Sequence, residues 1–160
     1  MGTPAQRFES ERALYPAMNV DEILVWREFL RDHQQEYDRF DYNTHIGQGL
    51  DPGPDQPPAM RKMWIQLNQL RIDAVGWQGQ QPTIFEVHRN GAANAIGQLV
   101  TYERVWRNDN PSGIPPKAAL VCATINQNVA LVARDAGIAL YIVSVNFRVL
   151  APQPVGRRQT

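Results

Sequence analysis

The sequence is poor in cysteine and lysine and has no long apolar run, and each scarcity excludes something. Cys122 is the only cysteine in 160 residues, so an intramolecular disulfide and a zinc site built on cysteines are both excluded. This usage indicates a reducing environment. No apolar stretch approaches the roughly 20 residues that cross a bilayer. The polar, charged start of the chain has no apolar segment like that of a signal peptide, so we expect a protein that is neither secreted nor membrane-bound.

The charged residues balance overall but are unevenly placed. Residues 1–80 carry 8 basic and 12 acidic side chains, whereas residues 81–160 carry 8 basic and 4 acidic ones. The basic half suits a polyanion, and it is equally consistent with ordinary surface variation. Arginine outnumbers lysine 14 to 2, which favours planar, bidentate contacts with carboxylates or phosphates. Because helix-turn-helix, zinc-finger and basic-helix signatures are all missing, we do not expect a sequence-specific DNA-binding module.

The chain length and an apolar fraction of 43% predict one compact domain. We divide it into an N-terminal helical segment (1–43), a Pro/Gly-rich loop (44–58), an α/β core (59–150) and a flexible tail (151–160). In the helical segment, Asn19 and Glu22 form a capping-box pattern, and a shorter helix is expected at 5–14. The helical stripe consists of Ile23, Trp26, Leu30, His33 and Tyr37. A loop as long as 44–58 is typically functional, a lid or a docking arm.

The rest of the chain alternates between strand-like and helix-like segments. Strands are predicted at 70–77 and 83–89, joined as a hairpin, and at 117–125 and 138–145. Helices are predicted at 91–107, capped by Asn90, and at 126–136, whereas 59–68 fits either a helix or a strand. A strand–helix–strand sequence implies parallel pairing. The predicted fold is therefore a three-layer α/β/α arrangement around a mixed sheet of four or slightly more strands.

Three charged or polar side chains interrupt the apolar hairpin. Asp73 lies within the first strand, and Glu86 and His88 lie within the second, on one face because they are two residues apart. Charges in such strands are costly to bury unless they are paired or bind a cation. Two neighbouring carboxylates repel each other, and hard oxygen ligands of this kind suit Mg²⁺ or Mn²⁺. On the next helix, Gln98 and Tyr102 are four residues apart and share a face that can reach these acids.

In order and approximate spacing, these elements resemble the PD-(D/E)XK nuclease superfamily, in particular its Q-x-x-x-Y exonuclease-like branch and small nuclease-like proteins of tailed phages. The matching stretches are RIDAVGW, FEVHR and the helix with Gln98 and Tyr102. The resemblance implies that Asp73 and Glu86 bind Mg²⁺ or Mn²⁺, joined by the backbone carbonyl of Val87. It implies that Gln98 and Tyr102 support the site and that DNA is the substrate. It also implies an acid from the first helix, for which the sequence offers Glu22, Glu28 and Glu36.

His88 departs from this pattern, because the superfamily has a lysine two residues after the glutamate. Two nearby carboxylates favour a protonated His88 that replaces the lysine charge. A neutral His88 would instead act as a general base or bind a softer metal. A further alternative is that catalysis is lost and the fold retained. Arg89 would point to the opposite face of the strand and is discounted as a replacement.

Two functions follow from these alternatives. The first is a metal-dependent nuclease that hydrolyses phosphodiester bonds in DNA, located in a host cytoplasm. The second is a catalytically degenerate relative that serves in assembly, for instance in the head–tail neck of a phage virion. In that role the 44–58 loop and the 151–160 tail would contact other virion proteins or further copies of the chain.

Overall fold

The computed structural model describes residues 12–150, and the side chains of 12–148. The predicted tail at 151–160 and most of the predicted helix at 5–14 lie outside the described residues. The elements, in chain order, are α1 (Val20–His33), β1 (Arg39–Ile46), α2 (Pro58–Leu67), β2 (Leu70–Gln78), β3 (Gln81–Gly91), α3 (Ala93–Asp109), β4 (Lys117–Ile125), α4 (Gln127–Asp135) and β5 (Ala139–Ile142). Short 3₁₀ turns follow α1 and β5. None of the helices within 12–150 combines the length and apolar character needed to cross a bilayer.

The five strands form one mixed sheet in the order β1-β2-β3-β4-β5. The first three strands pair antiparallel, and β3, β4 and β5 pair parallel. The parallel pairings arise because α3 and α4 each return the chain to the same end of the sheet, as crossover helices do. The mixed sheet predicted from the sequence is thus confirmed, with β1 as an additional strand.

Apolar side chains cover both faces of the sheet. On one face α1 packs Trp26 and Phe29 against Phe85 in an aromatic cluster. On the other face α3 packs Leu99 and its buried neighbours against Ile84 and the inner residues of β4. Capping of α1 follows the sequence prediction, since the Asn19 side chain accepts a hydrogen bond from the Glu22 N–H and the Glu22 carboxylate accepts one from the Asn19 N–H. The three-layer arrangement is confirmed.

The helical segment predicted at 1–43 extends beyond the end of the observed helix, and the loop predicted at 44–58 begins within an observed strand. The helix ends at His33, and β1 occupies Arg39–Ile46, across the predicted boundary at residue 43. The stripe prediction extended the helix to Tyr37 by its spacing. Tyr37 instead follows the short turn after α1 and packs on Phe85 from a non-helical position. Period-two alternation in β1 places Phe40 against the aromatic cluster and leaves Asp41 exposed.

Two further boundaries differ from the sequence prediction. Asn90 does not cap a helix, because β3 continues to Gly91 and the Asn90 side chain accepts a hydrogen bond from the Thr124 hydroxyl on β4. The cap of α3 is Ala92, which provides no side-chain hydrogen bond. The last strand is shorter than predicted, because β5 covers only Ala139–Ile142 of the apolar run.

The Pro/Gly-rich loop and α2 form a separate, ordered arm. The ambiguous segment at 59–68 is helical, with proline at its first turn. An ion pair between Asp51 and Arg61 ties the loop to the helix, and the Gln69 side chain donates a hydrogen bond to the Gly47 carbonyl. No residue of α2 is buried. An exposed apolar stripe therefore runs along it, made of Met60, Met63, Trp64 and Leu67.

Candidate active site

The hairpin strands β2 and β3 separate where the predicted acids lie. Their paired register runs from the turn to Ala74 opposite Phe85 and stops there. The next residue on each strand is a predicted metal ligand, Asp73 on β2 and Glu86 on β3. The Asp73 carboxylate accepts the Val87 N–H at 2.9 Å, in place of a backbone carbonyl of β2. Beyond this point β3 pairs only with β4, so the sheet opens between β2 and β3.

Strand β1 is distorted at the same level. The pairing of β1 with β2 omits the position where Asn43 lies opposite Asp73. Asn43 has a φ of 53°, and no other non-glycine residue within 12–150 has a positive φ. Asparagine is one of the few side chains that tolerate this conformation. Such distortion often accompanies functional sites, so Asn43 marks the open end of the sheet as unusual.

A cleft of about 360 Å³ occupies the opening. It collects residues from β2, β3 and the helices on opposite faces of the sheet. Its lining consists of Pro16, Ala17, Glu22, Arg71, Asp73, Glu86, His88, Gln98 and Tyr102. All five side chains predicted from the sequence to be catalytic are therefore in one place. The Val87 N–H points toward β2, and in a strand the carbonyl of the same residue points to the same side.

The two central acids are buried and incompletely paired. Asp73 is 8% exposed and Glu86 is 4% exposed. Neither carboxylate has an arginine or lysine partner within 12–148, and Glu86 Oε2 is buried without any hydrogen-bond partner among those residues. Burial, and next the charge of Glu86, raise the pKa of Asp73 to about 8. Carboxylates held this way require a proton or a cation between them.

His88 lies between two acids. Its Nε2 is 3.1 Å from Glu86 Oε1, and its Nδ1 is 4.0 Å from Glu22 Oε1. The hydrogen bond to Glu86 raises the pKa of His88, and the charges of Glu86 and Glu22 act in the same direction. This environment favours the imidazolium form, in agreement with the first of the alternatives considered for this residue.

Among the three glutamates offered by the first helix, only Glu22 lines the cleft. Glu28 forms an ion pair with Arg31, and Glu36 Oε1 lies 2.8 Å from the ring Nδ1 of His33. Glu22 has two roles, because one oxygen caps α1 through the Asn19 N–H and the other faces His88. Burial raises the pKa of Glu22 as well.

The helix side chains complete the far wall of the cleft. Gln98 Nε2 lies 3.4 Å from the Tyr102 hydroxyl, and Gln98 Oε1 is buried without a hydrogen-bond partner among the described side chains. Burial, followed by the charge of Glu86, raises the pKa of Tyr102 to about 12, so this phenol stays protonated and can donate a hydrogen bond. The i, i+4 spacing positions both groups because α3 lays one stripe on the sheet.

One charged residue of the cleft escaped the sequence analysis. Arg71 lies two residues before Asp73 on β2 and lines the cleft with an exposed side chain. A period of two in the sequence would have grouped Arg71 with Asp73. In the structure this period breaks at Asp73, because Ile72 packs in the core under α3 and Ala74 packs in the core under α1. Arg89, by contrast, lies outside the cleft, where it pairs with Asp21 at 3.1 Å and covers the ring of Phe147.

The donor set fits a hard divalent cation. Carboxylate oxygens are the ligands that Mg²⁺ and Mn²⁺ prefer, and the unpartnered Glu86 Oε2 is such an oxygen in a buried position. Within the described residues no three His, Cys, Asp or Glu side chains form a ready-made metal cluster. Magnesium is commonly held by one or two carboxylates, waters and substrate phosphates, and Asp73 and Glu86 supply two carboxylates.

Comparison with known proteins finds two solved structures of similar fold. The chain is similar to a repair endonuclease from Pyrococcus abyssi, with a TM-score of 0.50 and 11% identity over 81% of this chain and 49% of that chain. It is also similar to EndoMS in a complex with double-stranded DNA, with a TM-score of 0.48 and 12% identity over 82% of this chain and 48% of that one. The chain thus spans about half the length of these solved structures. No protein-family model and no curated protein matches it.

The likeness to the Pyrococcus enzyme confirms the restriction-endonuclease-like α/β fold predicted from the motifs. At such low identity it concerns the fold alone. The phage link and the virion assembly role stay predictions, since neither comparison bears on them.

Proposed function

We propose that the protein is a metal-dependent nuclease that hydrolyses phosphodiester bonds in DNA. The observation that carries this proposal is the pair of buried, incompletely paired carboxylates of Asp73 and Glu86 at the point where the sheet opens. The likeness of the fold to that of a repair endonuclease agrees with it. The proposed reaction forms a bond from the water oxygen to phosphorus and breaks the bond from phosphorus to the leaving sugar oxygen, which takes up one proton to become a hydroxyl while the other proton of the water is released to solvent.

Each cleft residue has a proposed part in this reaction. Asp73, Glu86 and the Val87 carbonyl would hold Mg²⁺ or Mn²⁺. The ion would supply Lewis-acid stabilisation of the charge that develops on the phosphate oxygens. Gln98 and Tyr102 would orient the attacking water or a phosphate oxygen through hydrogen bonds. Glu22 would hold His88 in place and favour its protonated form.

His88 is proposed to take the part of a positive charge rather than of a general base. Its two acidic neighbours favour the imidazolium, which would steady the attacking water and the phosphate. His88→Lys should then retain most of the cleavage rate, whereas His88→Gln should lose about tenfold or more, because a neutral amide cannot replace the charge. Equal losses in the two variants would reject the charge role of His88.

The function is tested with the purified full-length protein on linear, nicked and single-stranded DNA in Mg²⁺ or Mn²⁺. We expect cleavage that falls at least a hundredfold in Asp73→Asn and in Glu86→Gln, since a lost ligand removes several kcal/mol of transition-state stabilisation. Glu103→Gln is the matched control, because Glu103 pairs with Arg107 on the outer side of α3. Its rate should equal that of the wild type.

Two outcomes would reject the proposal. One is the absence of cleavage by the wild type on every substrate with both metals. The other is cleavage that persists unchanged in Asp73→Asn, which would trace the activity to a contaminating nuclease. Thermal unfolding of each variant shows whether a lost rate reflects a lost fold.

A further inference from the structure

The cleft is lined by three carboxylates, and a DNA backbone is itself an anion. Glu22, Asp73 and Glu86 face one another there, and His88 lies among them with its ring held by Glu86 and Glu22. A phosphate that approaches this cleft therefore needs a cationic contact that is not already committed to an acid.

Arg71 is the arginine that fits this requirement. It is the only lysine or arginine that lines the cleft within the described residues. Its guanidinium has no ion pair and no hydrogen bond to any side chain of 12–148, and the side chain is exposed. Arg71 lies two residues before Asp73 on β2, and both side chains line the same cleft. The cation therefore lines the same cleft as the carboxylates and forms no ion pair with them.

The other cations near the active site are committed or distant. Arg89 lies outside the cleft and pairs with Asp21 at 3.1 Å. The chain has only two lysines, and both lie elsewhere, Lys62 in the arm around α2 and Lys117 at the start of β4 opposite Thr83. Neither lysine therefore lines the cleft.

We propose that Arg71 is a phosphate-binding residue of this cleft and contacts the DNA backbone beside the bond that is cleaved. The inference rests on the proposed nuclease function for its substrate. A guanidinium donates two parallel N–H bonds to phosphate oxygens and stays charged at every working pH, so it suits this task better than a histidine. Arg71 thus positions the strand, while the carboxylates and His88 act on the phosphodiester.

The test measures binding of the full-length protein to a short fluorescent DNA duplex in EDTA, where metal-dependent cleavage cannot occur. Arg71→Ala should raise the Kd roughly tenfold and reduce the salt dependence of binding by about one counterion. Arg71→Lys should keep the salt dependence, because the charge remains. Arg104→Ala is the matched control, since Arg104 is an exposed arginine on the outer side of α3, away from the cleft. Its Kd should change less than about twofold.

The result separates this inference from the nuclease proposal. Equal losses for Arg71→Ala and Arg104→Ala, or no binding of DNA by the wild type, would overturn the role of Arg71. If binding depends on Arg71 but the wild type cuts no substrate in Mg²⁺ or Mn²⁺, the hydrolysis proposal fails and the phosphate contact stands. If the protein cuts DNA and Arg71→Ala binds normally, the phosphate contact fails and the hydrolysis stands.

Discussion

Polar groups at the two ends of the β2–β3 hairpin differ in their hydrogen bonding. At the turn, the Gly79 N–H donates to the Asp38 carboxylate at 2.6 Å, and the Trp77 indole N–H donates to Asp41 at 2.8 Å. At the cleft end, the strands separate, and Glu86 Oε2 and Gln98 Oε1 are buried without partners among the described side chains. The hairpin thus has hydrogen-bonded polar groups near its turn and, at its cleft end, a buried carboxylate oxygen of Glu86 without a partner among the described side chains.

This difference indicates that the turn half of the hairpin serves folding and that the cleft half is suited to chemistry. Buried polar groups in native proteins are nearly always hydrogen-bonded, so unpaired ones call for a ligand or a functional explanation. The turn half can be optimised for folding, because nothing has to bind there. The cleft half keeps acids in a costly environment, which a bound cation would relieve. Substitutions in the two halves should therefore shift stability in different directions.

The largest stability effect is expected at Phe85, the last residue of β3 that pairs with β2. Its ring is fully buried against Trp26, Phe29 and Phe40. Phe85→Ala should lower the free energy of unfolding by about 3–5 kcal/mol, because it opens a cavity in the aromatic cluster. Denaturant unfolding in EDTA measures this change.

Glu86→Gln, one residue further along the same strand, is the matched comparison. It should change the free energy of unfolding by about 1 kcal/mol or less, because relief of a buried carboxylate with one unpaired oxygen offsets the loss of its charged contact with His88. A larger loss of unfolding free energy in Glu86→Gln than in Phe85→Ala would contradict the view that Phe85 serves folding and Glu86 serves chemistry.

The next effect concerns pH. The folded-state pKa of Asp73, about 8, lies above its ordinary value of 3.8, so the folded protein binds this proton more tightly than the unfolded chain does. The associated stability is fully present below pH about 4 and is lost as the pH rises through about 8. Between these limits the metal-free wild type should lose about 2 kcal/mol more than Asp73→Asn, the scale of a buried polar group left unsatisfied.

Added Mg²⁺ provides the control for this pH dependence of stability. Binding to the folded state alone raises stability by mass action, and the gain should be largest above pH 8, where Asp73 is ionised. Asp73→Asn should show little or no gain. Parallel pH profiles for the wild type and Asp73→Asn without metal would show that Asp73 is not destabilised by its surroundings.

A smaller effect is expected at the kink in β1. Asn43 has a φ of 53°, which a β-branched side chain adopts only with strain. Asn43→Val should cost about 1–2 kcal/mol in the free energy of unfolding, whereas Asn43→Gly should stay within roughly 0.5 kcal/mol of the wild type. If both variants unfold alike, the left-handed conformation is not what asparagine provides there.

The layers of the fold could be predicted from the sequence, but its first strand, β1, was not predicted. Strand β4 was predictable to the residue, because the apolar run from Lys117 to Ile125 is buried on both faces and reads as a parallel strand. Strand β1 was missed, because its alternation is formed by aromatic and polar residues around Phe40 and Tyr42 that also fit a helical stripe. The packing of Phe40 and Tyr42 on Trp26 is what distinguishes the strand period of two from the helical period here.

The site shows the same division between local and non-local information. The pairing of Asp73 with Glu86 followed from a hairpin and a period of two, which are local properties. The choice of Glu22 among three glutamates depended on where the start of α1 meets the end of β3, and local patterns do not contain that information. Asn43 was invisible for a similar reason, since its φ is imposed by the tertiary opening of the sheet rather than by its neighbours in sequence.

The smallest effect should be found at the hairpin turn. Gly79 has a φ of 59°, and a Cβ added there would meet no atom within 4 Å. Gly79→Ala should therefore cost only the conformational preference, about 1 kcal/mol, and Gly79→Asn less, because asparagine tolerates this region. Both variants should bind and cut DNA as the wild type does, since the turn lies at the end of the hairpin away from the cleft. A turn variant that lost cleavage but kept its stability would show that the two halves of the hairpin are coupled, because the change could then reach Asp73 only through the strands.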